Sequence, residues 1–137
     1  MTRILVVDDS HINRELIRST LEPLGYQVIL APNVEQGLAL ARQVFPDLIL
    51  SDLHMPNQDG FIFITRLKSD SWLSQIPFVF LSSSVWGEKD RMKGLSLGAV
   101  RFLLRPIEPQ QLIREIEECL TLKINRSKRL SDNEVGK

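Results

Sequence analysis

The sequence is poor in cysteine and histidine, with one cysteine, Cys119, and two histidines, His11 and His54, among 137 residues. A single thiol excludes an internal disulfide and is typical of proteins from a reducing compartment. Three residues of these types, far apart in the chain, do not form the clustered pattern of a zinc site. Disulfide-stapled domains and structural zinc modules are therefore excluded.

Long hydrophobic runs are also lacking, since no segment approaches the roughly 20 apolar residues that a membrane helix requires. The chain enters RILVVDD directly, without a basic and then apolar signal segment or a small-residue cleavage site. Its 43% hydrophobic and 25% charged residues are near the average for globular proteins. A length of 137 residues suits one hydrophobic core rather than two. We therefore predict a single soluble, cytoplasmic domain with no membrane contact.

Net charge is absent too, because 17 basic residues balance 17 acidic ones. Residues 123–137 hold five of the basic and two of the acidic residues, a net of +3, which leaves −3 for the first 122 residues. This last segment has few large apolar residues and no periodicity, so we predict a domain at 1–122 and a flexible basic tail or linker at 123–137. Five charges at a chain end do not by themselves predict direct nucleic-acid binding.

Five short apolar runs occupy residues 4–7, 27–31, 47–50, 78–81 and 101–104. None alternates with period two, which is typical of strands covered on both faces. Segments with helical spacing follow them, and their apolar stripes are Ile12, Leu16, Ile17 and Leu21; Val34, Leu38, Ala41 and Phe45; Phe61, Ile64 and Leu67; Met92 and Leu95; and Ile113, Ile116 and Leu120. The alternation predicts a parallel α/β sheet.

Polar residues follow the ends of four of the predicted strands. They are Asp8 and Asp9 after the first strand, Asp52 after the third, Ser82 after the fourth and Arg105 after the fifth. The carboxyl ends of parallel strands share one edge of the sheet, where ligands bind. Three carboxylates, a hydroxyl and a cation are therefore predicted to meet at one site.

The segments VVDD, LSDLHMPNQDG, FLSS and FLLRP, in this order, resemble the signature of the response-regulator receiver domain of two-component signal transduction. The resemblance extends from about residue 3 to residue 122. It implies a flavodoxin-like, doubly wound, five-stranded parallel sheet of order 2-1-3-4-5 with five helices. The first and third strands would then be neighbours, and their three aspartates would lie together.

The resemblance also implies roles for the acidic residues. Asp52 would accept a phosphoryl group, in keeping with the ability of a carboxylate to act as a nucleophile. Asp9 and Asp52 would bind Mg²⁺ directly, with Asp8 acting largely through water, and the main-chain carbonyl of His54 would be a further ligand. Mg²⁺ prefers oxygen ligands and would offset the repulsion among crowded carboxylates. The structural alternative is that Asp9 or Ser10 only caps the first helix.

Ser82 matches the family's hydroxyl residue that donates to a phosphoryl oxygen. The alternative for the serine cluster, Ser82, Ser83 and Ser84, is a helix cap or a turn. Ser83 is a candidate for the entrance of the phosphodonor. Arg105 departs from the family pattern, which has Lys here, and a planar fork is not equivalent to an ammonium. Three interpretations of Arg105 remain open: a phosphate clamp, a partner of Asp52 or Asp8, and a solvated surface pair.

Aromatic and proline positions carry weaker expectations. Phe102 stands at the family's aromatic switch position, often Tyr, and is otherwise an ordinary core residue. Pro106 resembles the family's cis-proline. Trp72 and Trp86 are candidates for exposed contact residues or for partly buried fillers. His54 is interpreted as a rim residue that tunes dephosphorylation.

The leading hypothesis is a phosphorylation-activated receiver that takes a phosphoryl group from a histidine kinase or histidine phosphotransfer protein with Mg²⁺ as cofactor. It would then change its contacts with a downstream protein target or effector domain. We expect no enzymatic activity beyond its own phosphorylation and dephosphorylation. A homodimer through the fourth helix, fifth strand and fifth helix is compatible with the resemblance.

Two other classes of protein compete with this hypothesis. The alternative is a degenerate receiver that binds proteins independently of phosphorylation, for which Arg105 and Phe102 are the only support. A metal-dependent phosphatase of outside substrates would carry a general-acid Asp two residues after its nucleophile. This chain has His54 at that position, so we reject the phosphatase.

Overall fold

The structure is a computed structural model that describes the backbone of residues 1–83 and 87–135 and the side chains of residues 1–83 and 87–122. The strands are β1 (Arg3–Val7), β2 (Gln27–Ala31), β3 (Leu48–Ser51), β4 (Phe78–Ser82) and β5 (Arg101–Leu104), and the helices are α1 (His11–Leu21), α2 (Val34–Val44), α3 (Gly60–Lys68), α4 (Gly87–Ser96) and α5 (Pro109–Val135). A short 3₁₀ helix, Glu22–Leu24, follows α1. The strands form one parallel sheet of order β2-β1-β3-β4-β5. The predicted flavodoxin-like fold is confirmed.

The sheet is covered on both faces, and β1 shows how the sequence achieves this. Ile4 and Val6 pack in the cluster that includes residues of α1 and α5. Leu5 and Val7 point the other way, into the cluster with residues of α2 and α3. Because successive strand residues face opposite sides of a sheet, a strand between two helical layers must be apolar at every position. The unbroken apolar runs are the result.

Side-chain caps fix where three helices begin, close to the carboxyl ends of the strands. Ser10 Oγ accepts a hydrogen bond from the Asn13 N–H at the start of α1. Asn33 and Asp59 cap α2 and α3 in the same way. Each cap satisfies a helix N–H that has no partner within the helix. The first turns of α1, α2 and α3 are thereby held close to the edge that carries the polar residues.

Not every residue of the predicted apolar stripes is buried. Ile17 and Leu21 of α1 are buried, but Ile12 and Leu16 are 77% and 61% exposed, so their predicted core position is wrong. Residues four apart form one row on a helix, and the Ile12–Leu16 row lies about 100° around the axis from the Ile17–Leu21 row. Only the second row faces the sheet.

Two further stripe residues lie at the surface. Phe45 is half-exposed because it is the C-cap of α2, with a left-handed backbone that ends the helix. Met92 of α4 is exposed as well. The other members of the α2 stripe, Val34, Leu38 and Ala41, are buried as predicted.

Helix α5 continues to Val135 and so passes the boundary at residue 122 that the sequence predicts. The flexibility expected of residues 123–137 stays a prediction, because their side chains lie outside the described part of the structure. Within the described residues, no helix is both long enough and apolar enough to cross a membrane.

The first residue of α3, Gly60, is required by close packing. A Cβ at this position would lie 2.6 Å from the Asp52 carbonyl oxygen and 2.7 Å from Phe80 Cε1. We expect Gly60→Ala to lower the free energy of unfolding by about 2 kcal/mol or more, because the backbone of a buried loop must shift. Urea denaturation measures the change.

Gly87→Ala is the matched control, since Gly87 is the first residue of α4 and its Cβ would lie at an ordinary 3.6 Å from Leu104 Cδ1. We expect this change to alter stability by no more than about 0.5 kcal/mol. Equal effects of the two substitutions would contradict the packing explanation.

Candidate functional site

Strand register brings two aspartates side by side. Val7 at the end of β1 is aligned with Ser51 at the end of β3. The Asp52 N–H donates a hydrogen bond of 2.9 Å to the Val7 carbonyl, so the pairing continues past the strand ends. Adjacent strands are about 4.8 Å apart, and the next residues along, Asp8 and Asp52, therefore become neighbours. The convergence expected at this edge is observed.

Carboxylate oxygens of Asp8, Asp9 and Asp52 lie within 4.8 Å of one another, and we call these residues the acidic cluster. Asp8 and Asp52 are buried, with 1% and 9% of their surface exposed, whereas Asp9 is exposed. Burying an ionised carboxylate is costly unless it is paired or hydrogen-bonded. The groups around Asp8 and Asp52 therefore decide what state the cluster adopts.

Arg105 supplies a counter-charge to both buried carboxylates. Its Nη2 lies 2.6 Å from Asp8 Oδ2, and its Nη1 lies 3.7 Å from Asp52 Oδ1. The Arg105 N–H donates to the Ser82 carbonyl at 2.8 Å, which fixes its backbone beside the end of β4. The Arg105 side chain is only 17% exposed. Of the three interpretations left open by the sequence, the structure therefore has the pairing with Asp8 and Asp52, in a partly buried rather than a solvated position.

Backbone N–H groups hold one oxygen of each buried carboxylate. Asp8 Oδ1 accepts from the Ser10 N–H at 2.9 Å, and Asp52 Oδ1 accepts from the Leu53 N–H at 2.8 Å. Arg14, which the sequence did not single out, donates to the Asp8 carbonyl oxygen at 2.7 Å. Its position one turn into α1 gave no sign of this role. These bonds leave the orientation of both carboxylates well defined.

Burial raises the pKa of Asp52 above the ordinary value for an aspartate, and the nearby charge of Asp8 raises it further. Arg105 and the Leu53 N–H act in the opposite direction, but they do not cancel the increase. The ionised form of Asp52 is therefore held in an unfavourable environment, which an additional cation would improve.

The acidic cluster fits a hard divalent cation. Three carboxylates with closely spaced oxygens form an all-oxygen donor set, the kind that Mg²⁺ prefers. An ion there would also relieve the repulsion between Asp8 and Asp52. Asp8, Asp9 and Asp52 are thus the residues of this site that could hold a metal.

The hydroxyl residues and the loop after β5 border the cluster. Ser82 is the last residue of β4 and is fully buried, while Ser83 is exposed. The Arg105–Pro106 peptide bond is cis, as the resemblance implies. Ser83, Arg105 and Pro106 line a groove of about 440 Å³ between α1 and the start of α5.

This groove, which we call the α1–α5 groove, was not predicted. The side chains of Leu16 and Ile17 line it from α1, and those of Ile107 and Leu112 line it from the other side. The only sequence signal was a second apolar row on α1 beyond the buried one. Leu16 is therefore exposed as part of the wall of this groove, which Arg105 also lines.

His54 lies at the rim, as expected, with 63% of its side chain exposed. Its Nε2 is 3.9 Å from Asp90 Oδ2 on α4, which links the loop after β3 to α4. The proposed role of its main-chain carbonyl as a metal ligand and its effect on dephosphorylation stay predictions.

Phe102 is buried and lies against Phe80, with ring centroids 5.3 Å apart. Gly94 of α4, which no sequence pattern marks, packs on this pair, and a Cβ there would lie 3.0 Å from both rings. Trp72 is 78% exposed. The expectations for Ser84 and Trp86 lie outside the described residues.

The strand order and the acidic cluster at the strand ends define a flavodoxin-like α/β domain with a candidate metal site. Among protein families, the model of the response regulator receiver domain matches residues 4–117. The chain therefore belongs to the response regulator receiver domain family.

Individual relatives agree with this assignment. Protein PilH of Pseudomonas aeruginosa is 37% identical over 120 residues, which cover 88% of this chain and 98% of PilH. Response regulator PleD of Caulobacter vibrioides is 37% identical over 122 residues, which cover 89% of this chain but 27% of PleD. The solved structure of the Vibrio cholerae chemotaxis protein CheY4 is similar with a TM-score of 0.82 and 29% identity, covering 87% of this chain and 98% of CheY4. The resemblance predicted from the sequence motifs is confirmed.

The raised pKa of Asp52 predicts how stability depends on pH when metal is removed with EDTA. The folded chain binds more protons than the unfolded chain between the unfolded pKa, about 3.9, and the higher folded pKa. Wild-type stability therefore falls as the pH rises through this window. We expect Asp52→Asn to be more stable than wild type at pH 7, with a difference that approaches zero below about pH 4.

Chemical denaturation over this pH range measures the difference. Asp59→Asn serves as the control, because an asparagine caps α3 as well as an aspartate does. A stability difference for Asp52→Asn that is independent of pH would contradict the prediction.

Proposed function

We propose that this chain is a phosphorylation-activated receiver in which Asp52 accepts a phosphoryl group from a histidine kinase or histidine phosphotransfer protein. The observation that carries the proposal is the acidic cluster, with two of its carboxylates buried and facing Arg105 at the edge of a parallel sheet. Membership in the receiver family supports it. The chain's own activity would be limited to its phosphorylation and dephosphorylation, in the cytoplasm.

In the proposed reaction, an Asp52 carboxylate oxygen attacks the phosphorus of a phosphohistidine and a new P–O bond forms. The P–N bond breaks, and the imidazole nitrogen keeps the electron pair and takes up a proton. Oδ2 is the better nucleophile, because Oδ1 is engaged by the Leu53 N–H. Later attack by water on the acyl phosphate would release inorganic phosphate and restore the carboxylate.

Asp9 and Asp52 would hold Mg²⁺ directly, Asp8 would act through water, and the His54 carbonyl would complete the protein ligands. A bound Mg²⁺ supplies positive charge that stabilises the phosphoryl oxygens during transfer. The Ser82 hydroxyl and the Arg105 guanidinium are the donors at the strand ends that would contact those oxygens after transfer. For Arg105 this requires a move away from Asp8.

The α1–α5 groove suits the docking of the phosphodonor. It is bordered by Ser83 and Arg105, close to the acidic cluster, and is lined largely by apolar side chains. A donor protein with an apolar helix surface next to its phosphohistidine would cover Leu16 with that surface. Its phosphoryl group would then lie near Asp52. This geometry supports a protein donor.

The output would be a change in contacts with a downstream protein target or effector domain, made through the face formed by α4, β5 and α5. Phe102 connects this face to β4 through Phe80, and Gly94 allows α4 to lie directly on the ring pair. A shift of Ser82 toward a phosphoryl group would disturb this packing. A homodimer through the same face is part of the proposal.

A degenerate receiver that binds partners without phosphorylation is the second candidate. The short Arg105–Asp8 pair favours it, because this contact already provides a counter-charge to the cluster. Phe102 favours it as well, because a phenylalanine lacks the hydroxyl with which a tyrosine at the switch position could hold an outward orientation. The two candidates differ in whether Asp52 is ever modified.

We expect purified protein incubated with Mg²⁺ and acetyl phosphate to gain one phosphoryl group by intact mass spectrometry. The acetate of the donor is the leaving group, and Asp52 is the acceptor. Asp52→Asn and wild type in EDTA are expected to gain nothing.

Asp59→Asn is the matched control, because it removes a carboxylate from the same loop but leaves the cluster intact. It is expected to be modified like wild type. No gain in folded wild type, with acetyl phosphate and with phosphorylated kinase alike, would reject the receiver proposal in favour of the second candidate.

A further inference from the structure

We propose that Arg105 is a built-in counter-cation of the acidic cluster and that a divalent cation must displace it from Asp8 and Asp52 in order to bind. The inference rests on the proposed function only in that it takes the cluster to be a divalent-cation site. It concerns binding of the cation alone and is independent of whether Asp52 is phosphorylated.

Asp8 is the first reason for this competition. The residue is 1% exposed, and both of its carboxylate oxygens have protein donors: the Ser10 N–H on Oδ1 and Arg105 Nη2 on Oδ2. The 2.6 Å contact of Arg105 is the shorter of the two. The guanidinium therefore occupies Asp8 Oδ2, and an ion, or a water bound to it, would compete with Arg105 for that oxygen.

The second reason is the shape of the guanidinium. Its two terminal nitrogens face different carboxylates, Nη2 toward Asp8 and Nη1 toward Asp52 Oδ1. A planar fork can hold two acceptors in fixed directions, whereas the ammonium of a lysine is a point charge on a flexible stem. A single Arg105 side chain therefore occupies the position between the carboxylates where a cation would gain the most.

The third reason is electrostatic. The Arg105 side chain is 17% exposed, so its charge is weakly screened by solvent and would repel a divalent ion placed next to it. Removing Arg105 would leave two buried carboxylates without a counter-charge, which destabilises the metal-free fold. The same change would raise the affinity for a cation. These opposite effects distinguish competition from a simple loss of packing.

The displaced side chain also has room to move. Arg105 lines the α1–α5 groove, whose walls include Leu16 and Ile107. The methylene stem of an arginine packs well on apolar surface while its head stays hydrated. Arg105 can therefore leave the cluster without unfolding the loop after β5.

The test measures Mg²⁺ affinity by isothermal titration calorimetry, and melting temperature in EDTA and at saturating Mg²⁺. We expect Arg105→Met to melt below wild type in EDTA, to bind Mg²⁺ at least about fivefold more tightly and to be stabilised more by the ion. Arg105→Lys, which keeps the charge but not the fork, is expected to lie between wild type and Arg105→Met.

Arg101→Met is the charge-matched control, because Arg101 lies on the same strand but pairs with Glu115 and Glu118 of α5. Its Mg²⁺ affinity is expected to equal that of wild type. Unchanged or weaker affinity in Arg105→Met, or an equal gain in Arg101→Met, would overturn the inference. If Arg105→Met does not fold, a wild-type affinity in Arg105→Lys would overturn it.

Failure of the two proposals can be told apart. Wild type that binds Mg²⁺ in competition with Arg105 but gains no phosphoryl group would leave this inference intact and reject the proposed function. If wild type is phosphorylated but the Arg105 variants have the same Mg²⁺ affinity as wild type, the proposed function stands and this inference is rejected.

Discussion

Two buried carboxylates held side by side are the constraint on which the rest of this structure depends. The pairing of β1 with β3 continues through the bond from the Asp52 N–H to the Val7 carbonyl, and it forces Asp8 and Asp52 together. Their repulsion is a cost that the fold must offset with backbone donors and a cation. The Ser10 N–H, the Leu53 N–H and the position of Arg105 all serve this requirement.

The same constraint explains why the surrounding backbone is so closely packed. Gly60 must lack a side chain because α3 begins directly against the Asp52 carbonyl. Asp59, just before it, caps α3, so the loop that carries Asp52 runs into a helix whose first turn is fixed. Under the proposed function, this single orientation would place the Asp52 carboxylate better for phosphoryl transfer than a mobile side chain would be.

The fold was largely predictable, because each strand is apolar throughout and the motif order resembles one family. The meeting of Asp8, Asp9 and Asp52 followed from the rule that parallel strands end at a common edge. The burial of Ile17 rather than Leu16 did not follow, because adjacent helical rows have the same periodicity and only packing selects between them. The partner of Arg105 also needed distances, since pairing and phosphate binding use the same residue type. Gly94 gave no signal at all, because a contact made by the lack of a side chain leaves no pattern.

Of residues 87–96 in α4, which the structure describes in full, Gly94 alone is buried. A helix that buries so little apolar surface contributes little to global stability, and its local opening costs a small fraction of the free energy of unfolding. The sheet and the other helices can therefore stay folded while α4 shifts or frays. Mechanically, the domain combines a rigid body with one loosely held segment, and a free-energy change far smaller than that of unfolding is enough to redistribute α4 among positions.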